Sequence, residues 1–143
     1  MSLQILDKIF NPNIIAVIGA SNEENTVGYR ILRNLIGVGY RGTVYPVNPK
    51  HPSIQGIQAY PDVASLPRQP DLAIIPTPAL TVPAIVEQCG KAGIQGIIII
   101  SAGFKETGKE GKALEDKILQ VKQKYNMRII GPNCLGIIRP HNR

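Results

Sequence analysis

The chain has 143 residues, 43% of them hydrophobic, and its 16 Lys and Arg against 10 Asp and Glu give a formal net charge of +6. This length suits a single domain with a buried core, and the sequence contains neither an apolar run that could cross a membrane nor a recognisable signal peptide. Two cysteines without metal-type spacing predict a reducing, cytoplasmic location. Nucleic acid is disfavoured as a partner because the chain has no Trp, and many of its cations fall on one predicted helix between Lys105 and Lys124.

The first predicted element is a buried strand that ends in a glycine. Ile14–Ile18 is a run of apolar residues, too short and too rich in β-branched side chains for a buried helix. Gly19 lets the backbone turn tightly, and Ala20 and Ser21 then offer N–H groups and a hydroxyl in front of a helix that begins near Val27. This pattern predicts a phosphate-binding turn. Taken alone, it fits an ordinary strand-ending glycine equally well.

The rest of the chain alternates short apolar strands with amphipathic helices. The other buried strands are predicted at Thr43–Val47, Leu72–Ile75, Ile97–Ile100 and Met127–Ile130, with a short edge strand in Gln55–Tyr60 and a candidate last strand at Gly136–Ile138.

Three helices are predicted between these strands, each with an apolar stripe. The stripes are Val27, Ile31 and Leu35, then Val82, Ile85, Val86 and Cys89, and finally Leu114, Ile118, Val121 and Tyr125. The expected N-terminal caps are Thr26, Thr81 and a capping box of Thr107 with Glu110.

Alternating βα units predict an α/β fold, a Rossmann-like, doubly wound and mostly parallel sheet in a single domain. Ligands of such sheets bind beyond the carboxyl ends of the strands, where the strand order reverses. If the small edge strand lies outside the second strand, the reversal falls between Ile14–Ile18 and Leu72–Ile75. The site would then lie between two walls, formed by Gly19, Ala20 and Ser21 and by Pro76, Thr77 and Pro78.

The residues after the second strand bear on which ligand binds. The three-glycine dinucleotide fingerprint is absent, because the next glycine after Gly19 is Gly28. NAD-binding sheets place an acidic residue at the tip of the second strand, where this chain has Asn48, Pro49 and Lys50. A lysine there favours a phosphate on the ribose, as in coenzyme A or NADP, although a solvated loop lysine is the alternative.

Four motifs in register make the pattern more specific. They are Gly19-Ala20-Ser21, the segment Tyr45–Lys50, the segment Ser101–Phe104 with Glu106, and the segment Gly131–Gly136. Together, over Asp7–Pro140, they resemble the N-terminal CoA-binding domain of NDP-forming acyl-CoA synthetases, which is similar to the α subunit of succinyl-CoA synthetase. The resemblance implies that CoA or acyl-CoA is held by Gly19, Ala20, Ser21, Pro49, Lys50, Pro76, Thr77, Pro78, Ser101, Ala102, Gly103 and Asn133.

Synthetases of that family are acid–thiol ligases that relay a phosphoryl group through a histidine in a further domain. The only histidines here are His51 and His141, and neither is placed like that residue. Residues 1–143 are therefore expected to be a CoA-binding domain of a larger protein, inactive alone and working with further synthetase domains or subunits. A regulated protein acetyltransferase carrying the same module, a free-standing CoA-binding regulator and an NAD(P)-binding oxidoreductase domain remain alternatives.

No catalytic residue and no metal ligand is predicted within the chain. Cys134 lies in a predicted loop without an identifiable His and supporting carboxylate, so it is interpreted as a packing residue beside the ligand. Cys89 falls on a helix stripe and is expected in the core.

Overall fold

The centre of the protein is a five-stranded parallel sheet, seen in a computed structural model that describes residue 7 and residues 9–101 and 108–131. Of the seven strands found there, β3 and β4 form a separate antiparallel hairpin, and the other five lie in the order β2-β1-β5-β6-β7 with every neighbouring pair parallel. The strands are β1 (Ile14–Ile18), β2 (Thr43–Val47), β3 (Ser53–Ile54), β4 (Ile57–Gln58), β5 (Leu72–Ile75), β6 (Gly96–Ile99) and β7 (Arg128–Ile130).

This order confirms the predicted Rossmann-like, doubly wound α/β fold. From β1 the chain adds β2 on one side, and it then adds β5, β6 and β7 on the other. The strand order therefore reverses between β1 and β5, as the sequence predicts. In sheets of this kind the crevice beyond the carboxyl ends of such a strand pair is the usual ligand site.

Helices cover both faces of the sheet, which explains why β1 is apolar throughout. The α-helices are α1 (Val27–Gly37), α2 (Val82–Lys91) and α3 (Lys109–Tyr125). Ala16 and Ile18 pack in the core cluster that contains α2 and α3 side chains, whereas Ile15 and Val17 pack in the cluster that contains Leu32 of α1. These four β1 side chains are at most 5% exposed. A strand whose side chains are buried on both faces of the sheet does not alternate apolar with polar residues.

The predicted apolar stripes of α2 and α3 are confirmed, and that of α1 is wrong at its first position. Val27 is 46% exposed, while Leu32, absent from the predicted stripe, is fully buried. Ile31 and Leu35 do pack against the core. Val27 lies in the first turn of α1 with its side chain exposed, whereas the neighbouring Gly28 in the same turn is buried. None of the helices in the described residues is long and apolar enough to cross a bilayer.

Of the short edge strand predicted in Gln55–Tyr60, Ile57–Gln58 is confirmed as a strand, β4, but it pairs with β3 and not with the main sheet. Gln55 and Gly56 have positive φ angles of 52° and 82°, and they turn the chain back so that β4 pairs with β3 instead of extending the main sheet. A two-residue turn with positive φ at both positions is the hairpin connection that matches strand twist. In the part of the chain that the structure describes, an isolated parallel bridge between Val47 and Tyr60 joins the end of this region to β2.

Of the three predicted caps, Thr26 is confirmed, because its hydroxyl oxygen accepts the N–H of Tyr29 at 3.2 Å. Thr81 caps nothing: a helical turn at Ala79–Thr81 leads directly into α2, and the Thr81 hydroxyl donates to the Pro78 carbonyl at 2.6 Å. Position 108, before α3, is a glycine with φ 96°. Thr107 of the predicted capping box and the candidate strand Gly136–Ile138 lie outside the described residues.

Candidate functional site

A cleft of about 380 Å³ opens where the strand order reverses, at the carboxyl ends of β1 and β5. Its lining comes from the turn after β1, the first turn of α1, the loop after β2 and the segment Pro76–Pro78. The structure thus brings together seven of the residues singled out from the sequence, which are Gly19, Ala20, Ser21, Lys50, Pro76, Thr77 and Pro78. Larger grooves lie elsewhere, beside residues 62–70 and along the outer side of α1.

The two walls of the cleft touch at Gly19. Its φ of 88° is in the left-handed region, and a Cβ added there would lie 2.6 Å from Cγ2 of Thr77. A side chain would therefore have to push the Pro76–Pro78 wall away from β1 while also straining the backbone. Glycine is required at this turn for both reasons.

Gly28 brings the start of α1 against the same turn. A Cβ at Gly28 would overlap the carbonyl oxygen of Gly19. Close packing of helix against strand is the purpose of the third glycine in the dinucleotide fingerprint. The spacing rule missed Gly28 because a longer loop separates it from Gly19 in this chain.

The turn and the helix start present unpaired backbone donors to the cleft. Val27 and Gly28 occupy the first two positions of α1, where an N–H has no intrahelical acceptor. Within the part of the chain that the structure describes, the N–H groups of Ala20 and Ser21 also have no acceptor. The Ser21 hydroxyl oxygen accepts the N–H of Glu23 at 2.9 Å, so its proton remains available to donate. Such an arrangement at a helix N-terminus suits a phosphate oxygen.

Asn48 links the loop after β2 to the turn after β1. Its Nδ2 donates to the Ala20 carbonyl at 2.9 Å, and its Oδ1 accepts the N–H of Lys50 at 2.7 Å. Lys50 is exposed and lines the cleft beside the unpaired donors, whereas Pro49 is not part of the lining. No motif in the sequence assigns a role to Asn48 by itself, although an asparagine that bonds the backbone two residues later is a recognised turn signal.

Ser101 contacts the backbone of the Pro76–Pro78 wall of the cleft. It is 7% exposed, its hydroxyl donates to the Thr77 carbonyl, and the same oxygen lies 3.3 Å from the Ile75 carbonyl. Ser101 is not among the residues that line the cleft. The remaining predicted ligand contacts, Ala102, Gly103 and Asn133, lie outside the described residues.

The groups whose pKa is shifted lie away from the cleft. Burial raises the pKa of the Cys89 thiol to about 12, on the inner face of α2, as expected for a core cysteine. Burial, helped by the charge of Asp71, raises the pKa of Tyr40 to about 12 near the amino ends of the strands. The described lining of the cleft holds hydrogen-bond donors, the Lys50 ammonium and the carboxylate of the exposed Glu23. The donors and the ammonium are the groups suited to holding an anionic ligand.

Comparison with known proteins identifies relatives of the whole fold. A family model described as "CoA binding domain" matches residues 13–140. The α subunit of acetate–CoA ligase (ADP-forming) II from Pyrococcus furiosus is 48% identical over 96% of this chain, which covers 30% of that protein. The 4-hydroxybutyrate–CoA ligase (ADP-forming) of Nitrosopumilus maritimus is 43% identical over 91% of this chain, which covers 18% of that protein.

A solved structure agrees with these relatives. The acetyl-coenzyme A synthetase 1 of Ca. Korarchaeum cryptofilum, determined with phosphate and ADP, matches with a TM-score of 0.87 and 40% identity. The match covers 92% of this chain and 28% of that one. This chain therefore spans less than a third of each of the relatives described here.

Proposed function

Because the chain belongs to the CoA-binding domain family, we propose that the cleft between β1 and β5 is where it holds coenzyme A. The observation that carries this proposal is the convergence of unpaired N–H groups from the turn after β1 and from the start of α1, with Lys50 beside them. A pyrophosphate needs several donors converging on one place, and a helix N-terminus adds a favourable dipole.

In this proposal the two phosphate groups of the ligand use different parts of the cleft. The pyrophosphate lies against Ala20, Ser21 and the first turn of α1. The 3′-phosphate of the ribose is met by the Lys50 ammonium. Ser101 acts indirectly, by holding the Thr77 wall through the carbonyl that its hydroxyl contacts.

An NAD(P)-binding domain is the less favoured candidate. NAD-binding sheets use a carboxylate at the end of the second strand to bind the ribose hydroxyls, and position 48 here is an asparagine. Both ends of the Asn48 side-chain amide are already engaged, with Ala20 and with Lys50. One donor and one acceptor site remain on the amide, but unlike a carboxylate it cannot accept from both hydroxyls of a ribose diol with separate oxygens.

We further propose that the chain is the CoA-binding part of an ADP-forming acyl-CoA ligase. The relatives described above are ligases, which supports this parent over an acetyltransferase or a free-standing regulator. In such a ligase the remaining domains or subunits supply the nucleotide site and the phosphoryl relay, and residues 1–143 alone bind CoA without turning it over.

The test is calorimetric titration of this chain with CoA, dephospho-CoA, NAD and NADP under one buffer condition. We expect CoA to bind most tightly and NAD to give no measurable heat. Binding of NAD with an affinity equal to or greater than that of CoA would overturn the proposed function.

A further inference from the structure

Resting on the proposed CoA site, we infer that Gln55 is a positioning residue, which orients the peptide groups of the pyrophosphate-binding turn without itself touching the ligand. Gln55 is the first residue of the turn between β3 and β4, and it is not part of the cleft lining. Neither the motifs nor the spacing of the sequence single it out.

The side chain of Gln55 reaches from the hairpin to the turn after β1. Its Nε2 donates to the Ser21 carbonyl at 3.2 Å and to the Tyr29 carbonyl at 3.1 Å. Its backbone N–H donates to Oδ1 of Asn22 at 2.8 Å. One residue thus fixes two points on the segment that joins β1 to α1 and a third in the first turn of α1.

The hydrogen bond from Gln55 to the Ser21 carbonyl sets the direction of the N–H of Asn22, which belongs to the same peptide group. In a planar trans peptide the carbonyl and the following N–H point in opposite directions. When Gln55 holds the Ser21 carbonyl outward, the N–H of Asn22 is turned away from Gln55. Ser21 and Asn22 line the cleft and Gln55 does not. We infer from this that the Asn22 N–H faces the ligand.

The backbone conformation of Gln55 is uncommon for a glutamine. This indicates that the hydrogen bonds of its side chain, and not a preference for the turn, account for glutamine at this position. Its φ of 52° is uncommon for a residue with a Cβ, and only one other described non-glycine residue, Asn126, shares a positive φ. Asparagine and glycine are the favoured residues at this turn position. Glutamine supplies a longer amide arm, which here spans the distance to Ser21 and Tyr29.

The variants that test this inference are Gln55→Gly and Gln55→Glu. The matched control is Gln58→Ala, since Gln58 is an exposed glutamine on the neighbouring strand β4. Gln55→Gly relieves the positive φ and keeps the backbone bond to Asn22, which offsets part of the loss of two side-chain hydrogen bonds, so the unfolding temperature should change little. Its affinity for CoA and for dephospho-CoA should fall by about 3- to 10-fold, equally for both, since both carry the pyrophosphate. Gln55→Glu should lose at least as much, because a carboxylate cannot donate to the two carbonyls.

Amide hydrogen exchange over residues 19–29 of the ligand-free protein provides a readout that needs no ligand. Exchange there should be faster in Gln55→Gly than in the parent and unchanged in Gln58→Ala. Full CoA affinity in Gln55→Gly, or a loss confined to CoA, would overturn the positioning role. If the parent binds neither CoA nor dephospho-CoA, the proposed function fails, and unaltered exchange in Gln55→Gly would then overturn the positioning role as well.

Discussion

The side-chain amide of Asn48 donates to the carbonyl oxygen of Ala20 across 2.9 Å, and it thereby joins the ends of β1 and β2 on the floor of the cleft. The same side chain accepts the N–H of Lys50, so the position of the lysine relative to the turn after β1 depends on it. Asn48 consequently couples the two parts of the proposed CoA site.

Replacement of Asn48 by Ala should weaken CoA binding by about 5- to 30-fold, because two hydrogen bonds that place Lys50 are lost. A sharper expectation is that the losses of CoA affinity caused by Asn48→Ala and Lys50→Ala do not add in the double variant. Once Asn48 is absent, Lys50→Ala should cost less affinity than it does in the parent, as measured by calorimetry on both single variants and the double variant. Strictly additive losses would show that the two residues act independently.

Gly28→Ala should destabilise the protein by about 1–3 kcal/mol, because its Cβ would overlap the Gly19 carbonyl and force α1 away from β1. The measurement is urea unfolding monitored by circular dichroism. Gly37→Ala is the control in the same helix: a Cβ there meets nothing within 4 Å, so this variant should be neutral or slightly stabilising. Equal effects of the two substitutions would argue against the close helix approach as the reason for glycine at position 28.

Most of the strands and helices, and their order in the sheet, could be predicted from the sequence because they depend on local patterns. A β-branched run followed by glycine indicates a buried strand, and helical spacing identifies α2 and α3. Alternation of strands and helices leaves few topologies. The reversal between β1 and β5 is predicted on the condition that the edge strand lies outside β2, and the bridge between Val47 and Tyr60 lies on that side.

The rest depends on contacts between distant residues. Gly28 is recognisable as a packing glycine only when Gly19 lies against it, since no fixed spacing connects them. The hairpin of β3 and β4 was missed because Gln55 is a poor turn former by propensity, and its side-chain bonds to Ser21 and Tyr29 appear only in the folded chain. Thr81 satisfies the capping pattern, but its hydroxyl is already bonded to Pro78.

Stability should fall at alkaline pH through Tyr40. Burial raises the pKa of this phenol from 10.0 to about 12, and its hydroxyl donates to the Pro12 carbonyl at 2.7 Å. Because the folded-state pKa is the higher one, this contribution is fully present below pH 10, and it is lost as the pH rises through about 12. Tyr40→Phe should be less stable than the parent at pH 8, with a shallower decline between pH 10 and 12. Cys89 titrates in the same range, so the comparison uses the difference between the two proteins.

Lys50 offers the most direct test of how CoA is recognised. If its ammonium meets the 3′-phosphate, Lys50→Ala removes one charge-assisted contact worth about 1–3 kcal/mol, and the affinity for CoA should fall by roughly 5- to 150-fold. Dephospho-CoA lacks that phosphate, so it should bind the parent more weakly and lose little more on mutation. Arg30→Ala, on the exposed surface of α1, is a control for the loss of one positive charge.

The loss of CoA affinity in Lys50→Ala should also shrink as salt is added, because an exposed ion pair is screened over about 8 Å at physiological ionic strength. Calorimetry of both ligands at two salt concentrations measures this. Equal losses for CoA and dephospho-CoA would assign Lys50 to the pyrophosphate or to the shape of its loop. No loss for either ligand would place its ammonium in solvent, and selection for the 3′-phosphate would then have to come from another residue.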